Sequence, residues 1–472
     1  TNTVGNNGDI LIGDGQSGKA SNNLELTVSG TAANVQAQQP GYYNGENTTD
    51  NTKKGSKNVA ASDTFTSSVN EMINAGMADY VMVGGIKGFE STKFATFADA
   101  YAAIKPTIAA LTKTNTSDGL GEETPASADA FDAVFTDVKD GKATLTYTII
   151  GNVTYDETNL SNLLTMGRKS SHYLTNERHL INFKFVGGSN DKTKDTLTVN
   201  SNITLPYEWW GEKTTTSISF ENLTITGSAP SGLYPSQPYF ESIDFTVNNC
   251  MLKGIKIYNC SNVGGSYTIT NSTLDGTGAP KNAYAIHLQG HETAPLTINI
   301  SNNTISGYDR GINIDQATAN ATISNNTISV KDTNRSCIQL TKLAETTITG
   351  NTLNLTGGNA FTLHEGLLGL STAPTISITG NTITGTGYLI YDDAAADGKS
   401  FTSENLKLTY NSNTVVSTVD TTKGVKDGTK YGLSPNVNTV INPAPSYSGS
   451  SSDPTYSVST PSKTKNGSVT VS

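Results

Sequence analysis

The chain has 472 residues, of which 15% are charged and 35% hydrophobic, with a formal net charge of −10. That balance is too polar for one thick globular core, and its Lys and Arg are too few for a nucleic-acid groove. No run of 18 apolar residues occurs, so no membrane insertion is expected. Thr, Asn, Ser and Gly dominate, which points to a narrow core shared by many strands. Cys250, Cys260 and Cys337 cannot build a disulfide framework, and no Cys/His metal spacing is present, so neither a metal nor another cofactor is expected.

Residues 1–60 read as a loosely ordered N-terminal region with one strand pair, DILIG and LELTVSG. The GDGQSGKA that follows the first of these fails as a phosphate loop, because Ala20 stands where a magnesium-binding hydroxyl belongs and no helix follows. The opening TNTVGNNGDI has no signal-peptide pattern, so an exported chain is expected to have lost its leader. Residues 61–142 form a mixed segment. In FATFADAYAAIKPTIAALTK the period becomes helical, with Phe94, Phe97, Tyr101 and Ile104 on one stripe before Pro106 interrupts it. A second short helix is expected in ADAFDAVFTDV, and such helices would cap the end of a strand stack.

From 143 to 440 short alternating strands take over, and one hexad recurs: FENLTI (220), VNNCML (247), ITNSTL (269), ISNNTI (300 and 323), ITGNTL (348), ITGNTI (378) and a weaker YNSNTV (410). Constant corners with variable loops are what coils of a solenoid produce. The third position holds Asn222, Asn249, Asn271, Asn302, Asn325, Gly350 and Gly380, residues that tolerate left-handed backbone. A tight bend is therefore expected there, with successive Asn side chains hydrogen-bonded up a column. Beyond 441 a Ser/Pro/Thr-rich stretch reads as an extended linker, ending in what looks like the first strand of a truncated module.

The hexads resemble the right-handed parallel β-helix of the pectate-lyase-like superfamily, with its asparagine ladder between the second and third strand of each coil. The resemblance implies an all-β solenoid of about ten coils, with a short helical N-terminal cap region and an extended C-terminal linker. The linker resembles the spacers of Gram-positive surface proteins, which implies a secreted or wall-attached, monomeric module of a longer protein.

In that superfamily ligands lie along the first strand of each coil, here IKIYN (255), AIHLQ (285), GINID (311), CIQLT (337) and FTLHE (361). Alternation leaves an outward file of Lys256, Tyr258, His287, Gln289, Asn313, Asp315, Gln339, Thr341, Thr362 and His364, with Asp309, Arg310 and Arg335 just upstream. Such a file suits an extended glycan or host-surface polymer, and it equally suits a plain solvated sheet. Arg310 alone reads as an ion pair with Asp309 or Asp315. Trp209 and Trp210 in PYEWWGEK, with Tyr234, Tyr239 and Phe240, offer rings for sugar stacking or for packing over the coil. The basic MGRKSSHYLTNERH reads as a solvated loop or an anion-docking patch.

A glycosidase pair needs carboxylates about 5–9.5 Å apart, whereas Asp315 and Asp392 fall about three coils apart. A polysaccharide lyase acting on a polyuronide-like substrate would need a base, for which Arg310, Arg335 and His287 are candidates with Asp315 beside them; calcium enters only under that reading. Binding module, lyase and structural stalk are thus the three expectations, in that order.

Overall fold

The computed structural model describes most of residues 78–109, 142–155, 180–200, 212–227, 240–289, 296–315 and 319–420. Shorter described pieces are 113–115, 122–124, 132–139, 203–204, 232–234 and 435–441. The N-terminal 77 residues, the basic stretch 166–179, Trp209, Trp210 and the linker beyond 441 lie outside the described residues. The chain divides into two compact units, Thr1–Thr198 and Val199–Ser472.

In the first unit, strand Tyr80–Gly84 pairs antiparallel with Lys93–Phe94 and with Lys142–Ile150, and the latter pairs parallel with Leu180–Gly187. Helix Phe97–Ala109 starts where Thr96 Oγ1 accepts the Asp99 N–H at 3.1 Å and donates to the Asp99 carboxylate at 2.7 Å, a reciprocal cap. Its buried face brings the Phe97 ring 5.7 Å from Tyr147, 6.0 Å from Tyr155 and 6.3 Å from Phe185. Pro106 does not end this helix: the chain stays helical to Ala109, forgoing one backbone donor on an exposed position. Of the second expected helix the described residues show helix at 132–134, followed by strand Val138–Lys139; residues 128–131 lie outside the described residues.

The second unit is a stack of coils with three strand files. The first file runs through Glu212–Glu221, Phe240–Asn248, Gly264–Thr270, Leu296–Ser301, Asn320–Ser324, Glu345–Thr349, Thr375–Thr379 and Lys407–Asn411, all parallel and, after a shift between Glu212 and Thr215, in register. After each corner comes a short second-file strand, such as Thr304–Tyr308 or Thr327–Val330. The third file holds Lys256–Cys260, Tyr284–Gln289, Arg310–Asp315 and Ser336–Lys342. In Thr352–Leu363 and Thr382–Asp392 the second and third files fuse into one strand. Coil-to-coil pairing aligns like residues in the core: Val247, Ile269, Ile300, Ile323, Ile348 and Ile378 form one file, all fully buried. Each Ile contributes about 1.5–3 kcal/mol by leaving water.

The corner behaves as its residues dictate. All seven third positions take left-handed backbone, with φ from 52° to 67°, and Ser412 does the same (54°) in the weak eighth copy. The hydrogen-bonded ladder, however, lies one residue further on. Left-handed backbone at position three turns the fourth side chain inward, where Asn303, Asn326, Asn351, Asn381 and Asn413 are buried. Each amide nitrogen donates to the next carbonyl oxygen at 2.9 Å, and each such oxygen also accepts a backbone N–H at 2.9–3.0 Å. Among the third-position amides, Asn249 donates to Asn222 at 2.7 Å at the start of the stack.

Candidate functional site

Register on the third file fixes which outward residues meet. Tyr258, His287, Asn313, Gln339, Thr362 and Tyr391 align coil by coil. A second rank lies three residues earlier, at the entry to each strand, where Tyr284 pairs with Arg310 and Ser336 with Asn359, which pairs with Tyr388. Between the ranks the strand must pass close to its neighbour. A Cβ on Gly311 would sit 2.1 Å from the Cys337 carbonyl oxygen, so only glycine allows this approach.

These polar residues are not a solvated sheet face. Asn313, Ser336, Thr341, Asn359 and Thr362 are all less than 9% exposed and bond to one another. Thr341 Oγ1 donates to Asn313 Oδ1 at 2.8 Å, and the Ser336 and Thr362 hydroxyls share a short hydrogen bond. Ser336, Asn359 and Thr362 floor a groove with a cavity of about 350 Å³, walled by Tyr284, Arg310, Gln339, Arg335 and Thr333 toward one end and by His364, Tyr388, Tyr391 and Asp393 toward the other.

Of the residues expected from sequence, the groove gathers Arg310, Arg335, Gln339, Thr362 and His364. Lys256, Tyr258, His287, Gln289, Asp309, Asn313 and Asp315 do not wall it. The Lys256 ammonium lies 5.2 Å from the Tyr258 ring centre, and His287 is held between Tyr258 (5.1 Å) and Tyr284 (4.8 Å). Burial, then Arg310 and then Lys256, push the His287 imidazole down to about 4, so it is neutral at pH 7. Burial raises the Asp315 carboxyl against the opposing pull of Lys342 and His364.

The ion pair expected for Arg310 is replaced by another arrangement. Asp309 lies 3.6 Å from Lys331 and accepts the Asn282 N–H, while Arg310 stacks 4.7 Å from the Tyr284 ring centre and donates to the Tyr284 hydroxyl at 2.8 Å. Arg335 lies 3.7 Å from Asp332. His364 has both nitrogens engaged: Nδ1 accepts the Gly366 N–H at 3.0 Å and caps a short helix, and Nε2 lies 3.3 Å from Asp393. Asp392, the last strand residue, turns into the core, and Asp393, which opens a short helix, lines the groove. Asp392 is fully buried and accepts the Ala395 N–H at 3.0 Å, a capping role.

Tyr284, Tyr388 and Tyr391 were missed in the sequence. The signal was a three-residue offset, repeated as Tyr284/His287, Arg310/Asn313, Ser336/Gln339, Asn359/Thr362 and Tyr388/Tyr391, which a strict alternation of two conceals.

These parallel files and the asparagine corner define an all-β, right-handed parallel β-helix. Residues 222–438 match the model of a family described as periplasmic copper-binding protein (NosD), to which this part of the chain is similar. No curated protein and no solved structure matches. The match supports the β-helix resemblance and an exported β-helix protein; neither it nor the parallel sheets bear on a Gram-positive wall. No described helix is long and apolar enough to cross a membrane.

The family's description overturns the expectation that no cofactor is involved, since it names copper. The described residues of this chain do not fit such an ion: among them no group of three or more His, Cys, Asp or Glu side chains converges. Cys250 and Cys337 are fully buried, and burial pushes the Cys337 thiol up to about 12, far from the thiolate a metal requires.

Proposed function

We propose that the second unit binds an extended polymer, a glycan, along its third strand file, as an exported module that acts by adhesion rather than turnover. The observation that carries this reading is the groove itself, with a dry polar floor and three tyrosines among its walls. Flat sugar faces stack on such rings, and a few buried hydroxyls and amides fix their orientation. The side chains proposed as bases each have another engagement: His287 is held between two tyrosine rings and outside the walls, Arg335 sits beside Asp332, and Arg310 donates to Tyr284. Residues beyond 441 would serve as the spacer to a wall-attachment domain, and the module would act as a monomer on a host or environmental surface.

A glycan array with the whole chain tests this. Binding without release of unsaturated product is expected, and Tyr391→Ala should weaken the best hit about tenfold, the worth of one aromatic stack. Binding that Tyr391→Ala leaves untouched would count against the groove, and product formation would make the protein a lyase.

A further inference from the structure

Arg310, in the groove wall, heads a chain of hydrogen bonds that runs in one direction. A guanidinium only donates, so the Tyr284 oxygen must accept at 2.8 Å and spend its own proton on Gln339 Oε1 at 3.3 Å. Gln339 Nε2 then donates to Thr341 Oγ1 at 3.2 Å, and that hydroxyl donates to the buried Asn313 at 2.8 Å. The direction of each of the four bonds linking Arg310, Tyr284, Gln339, Thr341 and Asn313 is thereby fixed, across three successive coils. The chain neutralises nothing. Its only charge is the guanidinium, whose Nε is buried without a hydrogen-bond partner among the described residues. The guanidinium forms part of the groove wall, so its remaining N–H donors can meet a ligand oxygen there.

We propose that Arg310 is a specificity-determining residue of the groove and Tyr284 its positioning residue, together selecting polymers that carry anionic oxygens over their neutral counterparts. This rests on the groove binding proposed above. The shared chemistry is a carboxylate or sulfate, because both offer acceptors and no donor to a fork of N–H groups. Tyr284 acts twice, through its ring beneath the guanidinium and through its hydroxyl. Replacing the hydroxyl alone frees Arg310 to swing while the stack remains.

The test uses the whole chain with dextran, carboxymethyl-dextran and dextran sulfate, three polymers on one backbone, by calorimetry at low and moderate salt. The wild type should prefer one or both charged forms by about tenfold or more, the range of a charge-assisted hydrogen bond. Arg310→Gln should abolish the preference. Tyr284→Phe should reduce the ratio of charged to neutral affinity several-fold, a selective loss that a purely structural role, weakening all three polymers alike, would not give. Which charged form wins tells carboxylate from sulfate. Equal affinity for all three overturns anion selection and leaves polymer binding standing. A full preference in Tyr284→Phe overturns the positioning role. No binding to any of the three overturns the inference, and a negative glycan array beside it removes the groove reading as well.

Discussion

Asn325 and Asn326 are neighbours with the same side chain and different work. Asn325 supplies left-handed backbone (φ 54°), which costs other L-residues about 1–2 kcal/mol, so Asn325→Ala should destabilise by about 1 kcal/mol and Asn325→Gly hardly at all. Asn351, the fourth-position residue one coil on, satisfies the Asn326 backbone N–H and side-chain amide and donates to the Ile323 carbonyl. Asn351→Ala strands several buried polar groups at once and should cost about 3 kcal/mol or more in urea unfolding. Equal costs at the two positions would show that the ladder contributes no more than the bend. His287 supplies a pH signature. Its folded pKa of about 4 lies below the unfolded value, so between those two values the unfolded chain binds the extra proton. Stability is therefore full above about pH 6.5 and falls as pH drops toward 4, by up to about 3 kcal/mol. His287→Gln should flatten melting temperature against pH across that window.

At the scale of elements, the corner was legible because only a few side chains tolerate its backbone, and that restriction recurs as Asn, Gly or Ser at every copy. The ladder's true column was one residue away, since Asn-Asn pairs at 302/303 and 325/326 do not announce which amide turns inward. Arg310, Arg335, Gln339 and His364 could be placed on the groove by counting strand positions. Tyr284 and Tyr388 could not, because they belong to a second outward rank at the strand entries that no alternating pattern encodes, and Tyr391 extends the first rank one coil beyond the last strand counted. The pairing of Arg310 was misread for a related reason: a charged neighbour in sequence says nothing about a ring one coil below. Gly311 shows how closely these strands approach. Gly311→Ala would press its methyl group into the Cys337 carbonyl, and it should lower the melting temperature and abolish binding together, whereas Gly278→Ala, where a Cβ meets nothing, strains only its own backbone (φ 84°).

For the second unit as a whole, each coil contacts chiefly its neighbours, so its stability is a sum of local terms and its ends open before its middle. Helix Pro435–Ile441 packs on the last first-file strand, with Val437 and Ile441 buried and Asn436 donating to the Phe401 carbonyl at 3.1 Å. Val437→Asp should speed hydrogen exchange in Lys407–Asn411 first and leave Leu296–Ser301 near its original rate. Uniform acceleration would mean that the unit unfolds all at once.

Because Asn303 and Asn326 make the same bonds to the rung beyond them, the residues from one to the next form an interchangeable cassette. Duplicating residues 303–325 would insert one more rung without leaving an amide unmatched, and would lengthen the stack by about 4.8 Å. Its reach can thus be lengthened or shortened in whole steps by copying or deleting a stretch of gene, with no new packing problem to solve.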